Sequence, residues 1–128
     1  MSEESLAQRE SSLSALSTLI KSIDGKKKVT LIGDTMLDRF HHGFANNLNS
    51  TAPVPVLKIT RTEESAGASA HIAIGLCSFG MNVSFYTCVG NDPDGQSIIQ
   101  CLDEAGVNTG DIEVSGNIST LTKIRFFH

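Results

Sequence analysis

The chain has 128 residues, 40% of them hydrophobic and 19% charged, which is enough for one globular domain with a core of its own. A net charge of -4 and a single short basic run, Lys26-Lys27-Lys28, exclude the electrostatic footprint of a nucleic-acid binder. No apolar run approaches the ~20 residues needed to span a bilayer, and the N-terminus MSEESLAQRE is too acidic and polar for a secretory leader.

Residues 2–24 read as a helix, with Leu6, Leu13, Leu16, Ile20 and Ile23 on one face. Ser2 suits its cap and Gly25 its end, and the apolar face is expected to pack on the rest of the domain. Val29 to Ile32 form a nearly all-apolar strand of the kind buried in a parallel sheet. It runs into Gly33-Asp34. Open α/β sheets collect ligands at the carboxyl ends of their strands, so Asp34 and Asp38 stand where a polar ligand would lie. A carboxylate accepts two hydroxyl hydrogen bonds at once, which suits a polyol.

Between Phe40 and Arg61 the character changes. Asn46, Asn47, Asn49, Ser50 and Thr51 read as a polar loop, and the alternation from Pro55 to Arg61 as a half-buried strand. A run of small residues, Ala66 to Ala70, then leads into a helix over residues 67–79, with Ile72, Leu76 and Phe79 on one face and Gly80 closing it. So tight a turn brings backbone close to a ligand. Val83, Phe85, Thr87 and Val89 alternate as a strand, followed by the loop Gly90 to Gly95. Asp92 is placed to cap a helix over residues 94–105, with Pro93 in its first turn and Gly106 at its end. Ile112 and Val114 mark a brief strand, and Leu121 to Phe127 another. This βαβαβ order predicts residues 29–33, 83–89 and 112–115 in one parallel sheet, covered by the two helices.

Several motifs fail on their chemistry. Gly90-x-x-x-x-Gly95-Gln96-Ser97 lacks the lysine of a phosphate-binding loop, and Asp92 and Asp94 would repel a nucleotide. His41, His42, His71 and His128 have no metal-ligand spacing with cysteine. The three cysteines, Cys77, Cys88 and Cys101, are never spaced as CxxC and are expected as buried reduced thiols in the cytoplasm.

Gly67, Ala70, Gly80, Gly90, Asp92 and Gly95 occur in an order that resembles the N-terminal signature of the ribokinase-like (PfkB) sugar kinases. Upstream GDTMLDRF and APVPVLKI, and downstream TLTKIRFF, look most like the bacterial heptose 7-phosphate kinases of ADP-heptose synthesis. The resemblance covers roughly residues 28–128. It implies a ribokinase-like α/β fold with an incomplete C-terminal half, a helix over 1–25, and a kinase domain portion over 26–128. A small β-lid would span about 40–64. It further implies a sugar or sugar phosphate as substrate, ATP and Mg2+ for the complete domain, and a homodimer formed through the lid. Carried over position by position, Asp38 grips sugar hydroxyls, and Asp34, Gly67, Ala68 and His71 complete the substrate site.

The chain departs from the family where Ala68 replaces a glycine and His71 an asparagine, and where Asn47 and Thr51 replace a basic and an acidic residue. The family's catalytic base and anion hole lie in a Gly-Ala-Gly-Asp motif that these 128 residues do not contain, so no catalytic residue is assigned. Two readings stand: the sugar-binding N-terminal portion of a kinase, or a non-catalytic scaffold that keeps the fold.

Overall fold

The computed structural model of the chain describes residues 3–22 and 28–128. Helix α1 runs Glu3–Lys21, followed by strands β1 (Lys28–Ile32), β2 (Thr35–Leu48) and β3 (Pro55–Ala68). Helix α2 (Ser69–Ser78), strand β4 (Asn82–Gly90), helix α3 (Pro93–Glu104) and strands β5 (Ile112–Ser115) and β6 (Thr122–Phe127) complete the order. Ser2, Ile23, Gly25, Lys26 and Lys27 lie outside the described residues.

Strands β1, β4 and β5 form one sheet in the order β1-β4-β5, and every pairing is parallel. Period-two alternation decides which side of β4 is inside. Val83, Phe85 and Val89 are buried, with Ala70 and Ala73 of α2 and Ile98 and Leu102 of α3 in the same core. The intervening Tyr86 and Cys88 face outward and are exposed, and Ile32 of β1, opposite Tyr86, is 76% exposed. The helices therefore cover one face of this sheet. Cys88 corrects the expectation of three buried thiols, because it lies on the face turned away from the helices. Cys77 and Cys101 are partly buried, and burial pushes both thiols up.

The helix ends follow their sequence signals. Asp92 Oδ1 accepts a hydrogen bond from the Gly95 N–H at 2.8 Å, so Asp92 caps α3, with Pro93 in the first turn. Gly80 (φ 82°) and Gly106 (φ 78°) take the left-handed conformation that ends α2 and α3 at little steric cost.

Two expectations fail. Asn46 and Asn47, expected in a polar loop, belong to the long strand β2, and Asn47 still pairs with Val56 near its end. The turn itself is confined to residues 49–54, where Asn49 Oδ1 accepts from the Thr51 N–H at 2.9 Å. Polar side chains hid this strand, and long-range pairing makes it: β2 is central in a second sheet ordered β3-β2-β6, antiparallel to β3 and parallel to β6. The small residues Ala66, Gly67 and Ala68 likewise end β3 rather than begin α2, pairing with Leu37, Met36 and Thr35.

The second failure is α1. Its leucines do not pack as expected: Leu13 is 65% exposed, and Leu6, Leu16 and Leu19 are exposed with it. Among the described residues no helix is long and apolar enough to cross a membrane.

Candidate functional site

Asp38 lies on the central strand of the second sheet, with Ser65 opposite it on one side and Lys123 on the other. Its side chain is only 16% exposed. Two cations from β6 converge on a single oxygen: Lys123 Nζ is 2.8 Å and Arg125 Nη1 3.0 Å from Asp38 Oδ1. The Lys123 hydrogen bond, with the charges of Lys123 and Arg125, holds the Asp38 carboxyl below its ordinary value against the opposing effect of desolvation.

The same face of the sheet continues away from the carboxylate as an aromatic row. The Arg125 guanidinium sits 5.1 Å from the centroid of the Phe40 ring, a cation–π distance. Phe40 stacks on Phe127 at 6.1 Å, and Phe127 on His42 at 5.2 Å.

Gly67 is buried beside the carboxylate. A Cβ there would run into Asp38 Oδ2 and stand 3.2 Å from Met36 Cγ, so the position admits only glycine without a shift. Next to it, Ala68 adopts φ 53° and ψ -129° as the residue before α2, a backbone region that glycine occupies readily and alanine does not. The backbone thus keeps the glycine geometry that the resemblance implies, while the residue is alanine. Ala68→Gly is expected to raise stability by about 1 kcal/mol, the relief of strain less the extra chain entropy of glycine. Urea denaturation of both forms measures it, and a loss of stability would show that Ala68 is relaxed.

His71 is exposed in the first turn of α2, which has no side-chain cap; the Ser69 N–H donates instead to the Asp34 carbonyl at 3.1 Å. Gly67 and Asp38 therefore meet, and Ala68 and His71 follow along the β3–α2 junction. Asp34 stands apart. It lines a recess of about 240 Å³ with Thr35, Cys88 and residues 118–121, at the carboxyl ends of β1 and β4.

The Gly90–Gly95 loop is a structural junction. The Thr120 N–H donates to Asp92 Oδ2 at 2.8 Å, and the Gly90 N–H to Thr120 Oγ1 at 2.9 Å. Asp94 accepts from the Thr122 hydroxyl and pairs with Arg39 Nη2 at 2.6 Å, while Arg39 Nε reaches Glu64 at 2.6 Å. Hydrogen bonds from Thr120 and Gly95 hold Asp92 below the usual carboxyl range, and those from Thr122 and Arg39 do so for Asp94. These carboxylates are engaged by donors of the chain itself.

Sequence reasoning missed Lys123 and Arg125. Their signal is the alternation Lys123, Arg125, Phe127 on one face of a strand, but only the β2–β6 pairing shows that Asp38 lies between them.

Residues 26–127 match the model of the pfkB family carbohydrate kinases. The chain belongs to that family. It is 36% identical over 99 residues to the bifunctional protein HldE of Marinomonas sp., covering 77% of this chain and 21% of that protein. With the bifunctional protein HldE of Magnetococcus marinus it shares 38% identity over 100 residues, 78% of this chain and 20% of the relative. The chain spans about a fifth of the length of these curated relatives.

Among solved structures, a putative ribokinase from Agrobacterium tumefaciens superposes with a TM-score of 0.63 at 19% identity, over 80% of this chain and 32% of that one. A fructokinase with bound ATP from Xylella fastidiosa gives 0.57 at 22% identity, over 77% and 27%. These likenesses show the fold, which is ribokinase-like. The first sheet with its covering helices, and the second sheet carrying Asp38, thus belong to a chain of the pfkB carbohydrate kinase family.

Proposed function

We propose that this chain is the sugar-binding N-terminal portion of an ATP-dependent carbohydrate kinase, with a heptose phosphate as its substrate class. The observation that carries this reading is the Asp38 carboxylate, kept ionised by two cations and set against the bare backbone of Gly67. An ionised carboxylate is an acceptor only, so it selects hydroxyl donors, and the glycine beside it leaves room for the carboxylate itself. The similarity to HldE proteins and the resemblance to heptose 7-phosphate kinases support the heptose. Ala68 and His71 extend the site, and Asp34 borders it from its own recess.

In this reading residues 1–25 stand outside a unit of 26–128, and the outer β2–β3 hairpin, about 40–64, is a lid. Phe44, Leu48, Val56 and Ile59 expose apolar surface on that hairpin, which supports a second copy of the chain pairing there. Phosphoryl transfer in the cytoplasm, with ATP and Mg2+, belongs to the proposed whole protein. Among the described residues no group of three His, Cys, Asp or Glu side chains fits a metal ion, and Asp92 and Asp94 are bound to the chain itself.

His71 and Ala68, where the family resemblance implies asparagine and glycine, favour the second reading, a scaffold that keeps the fold without the chemistry. Calorimetric titration of the chain with hexoses, heptoses and their 7- or 6-phosphates separates the two. The sugar-binding reading expects saturable one-to-one binding of a heptose or its phosphate. A folded chain that binds none of the panel supports the scaffold instead.

A further inference from the structure

The β6 cations approach Asp38 in a way that hydroxyl recognition alone does not explain. Lys123 is the register partner of Asp38, and Arg125 that of Phe40, so period-two alternation puts all four side chains on one face. Both cations take the same oxygen, Oδ1, at 2.8 and 3.0 Å. Arg125 is itself restrained by its stack over the Phe40 ring at 5.1 Å. A Cβ on Gly67 would run into the other oxygen, Oδ2, so no side chain can stand there.

We propose that Lys123 and Arg125 are positioning residues that anchor Oδ1 of Asp38 and so present Oδ2, over the Gly67 backbone, to one hydroxyl of the substrate. The proposal rests on Asp38 being a sugar ligand. A carboxylate free to rotate divides its lone pairs between solvent and ligand; one oxygen held by two charged donors leaves the other in a fixed direction. Fixing the acceptor before binding lowers the entropy lost on association. The cations act through Asp38, and the group accepted at Oδ2 must be a donor, hence a hydroxyl rather than a phosphate or carbonyl oxygen.

The test uses the full 128-residue chain with two probes, a heptose 7-phosphate and the same heptose without phosphate. Lys123→Met and Arg125→Met keep the apolar stems and remove the charges; Lys123→Arg and Arg125→Lys keep the charges. The doubly uncharged variant is expected to lose about tenfold in affinity for both probes, and the conservative variants much less. The loss should shrink to nearly nothing in an Asp38→Asn background, because the three side chains form one unit. Without any probe, carbon NMR titration of the Asp38 carboxyl should show it ionising at higher pH in the uncharged variants, with thermal melts confirming that all forms are folded.

A loss confined to the phosphorylated probe would overturn the proposal, since the cations would then meet the phosphate directly. So would a loss that persists in full when Asp38 is Asn, or unchanged affinity. If the wild-type chain binds neither probe, the sugar-site reading falls and the positioning role with it. Wild-type binding with insensitive variants sinks the positioning role alone.

Discussion

Phe85→Ala should destabilise the fold by about 3–5 kcal/mol, the range for removing a fully buried phenylalanine. Phe85 is 0% exposed at the centre of β4, the strand that pairs with both β1 and β5. Its ring fills the space between that sheet and the two helices, beside Val83, Ile98 and Leu102 in the same core. The chain can relax only partly around the cavity, because its backbone neighbour on β1, Leu31, is fixed by the ladder. A domain of this size is stable by roughly 5–15 kcal/mol in total, so this one substitution removes a large share. The melting temperature should fall by roughly 10–20 °C. Tyr86→Ala is the control. Tyr86 faces outward on the uncovered side and should cost less than about 1.5 kcal/mol. Equal losses at the two positions would mean that the sheet is not one-sided as described.

Asp38→Asn should lower sugar affinity by roughly ten- to a hundred-fold, since a hydrogen bond to a charged group is worth ~1.5–3 kcal/mol. The substitution keeps the shape and one acceptor but removes the charge. On strand β2, Asp38 is the shared counter-ion of Lys123 and Arg125. Asparagine leaves these two cations facing each other. Both are about half exposed, so water screens them, and the cost to stability should stay below about 1 kcal/mol. The pH dependence follows from the direction of the carboxyl shift. A folded-state value below the unfolded one contributes stability that is fully present above the unfolded value, near 4, and is lost as pH falls through the lowered folded value. Wild-type stability should therefore respond to acid more steeply than that of Asp38→Asn. Affinity measured together with melting separates the roles: a lowered melting point with unchanged affinity would make Asp38 purely structural.

What the sequence reveals depends on how local the signal is. Strand β4 is legible because Val83, Phe85 and Val89 alternate with polar residues, and α3 because Asp92-Pro93 opens it and Gly106 closes it. Each of those signals lies within a few residues of the structure it specifies. Strand β2 is not legible, because Asp38, Arg39, His41, His42 and Gly43 have weak strand preference and are held extended by partners on both sides. The same distance hides the site. Asp38 is readable as a ligand candidate from its place after β1, but Arg125, 87 residues further on, becomes its partner only once β6 pairs with β2. The Ala66–Ala70 run is small where Gly67 meets the Asp38 carboxylate, yet its strand-to-helix boundary is set by pairing with Thr35 and Met36 rather than by propensity. The leucines of α1 have helical spacing, and spacing alone does not say what they face.

The most direct test of the account is to map where a sugar binds. Amide and side-chain NMR shifts of the chain would be followed during titration with a heptose 7-phosphate. The account predicts that the largest changes fall on Asp38, Gly67, Ala68 and His71, together with the Lys123 and Arg125 side chains, and that they saturate at one sugar per chain. Changes confined to the recess of Asp34, Cys88 and residues 118–121, or scattered without saturation, would contradict it.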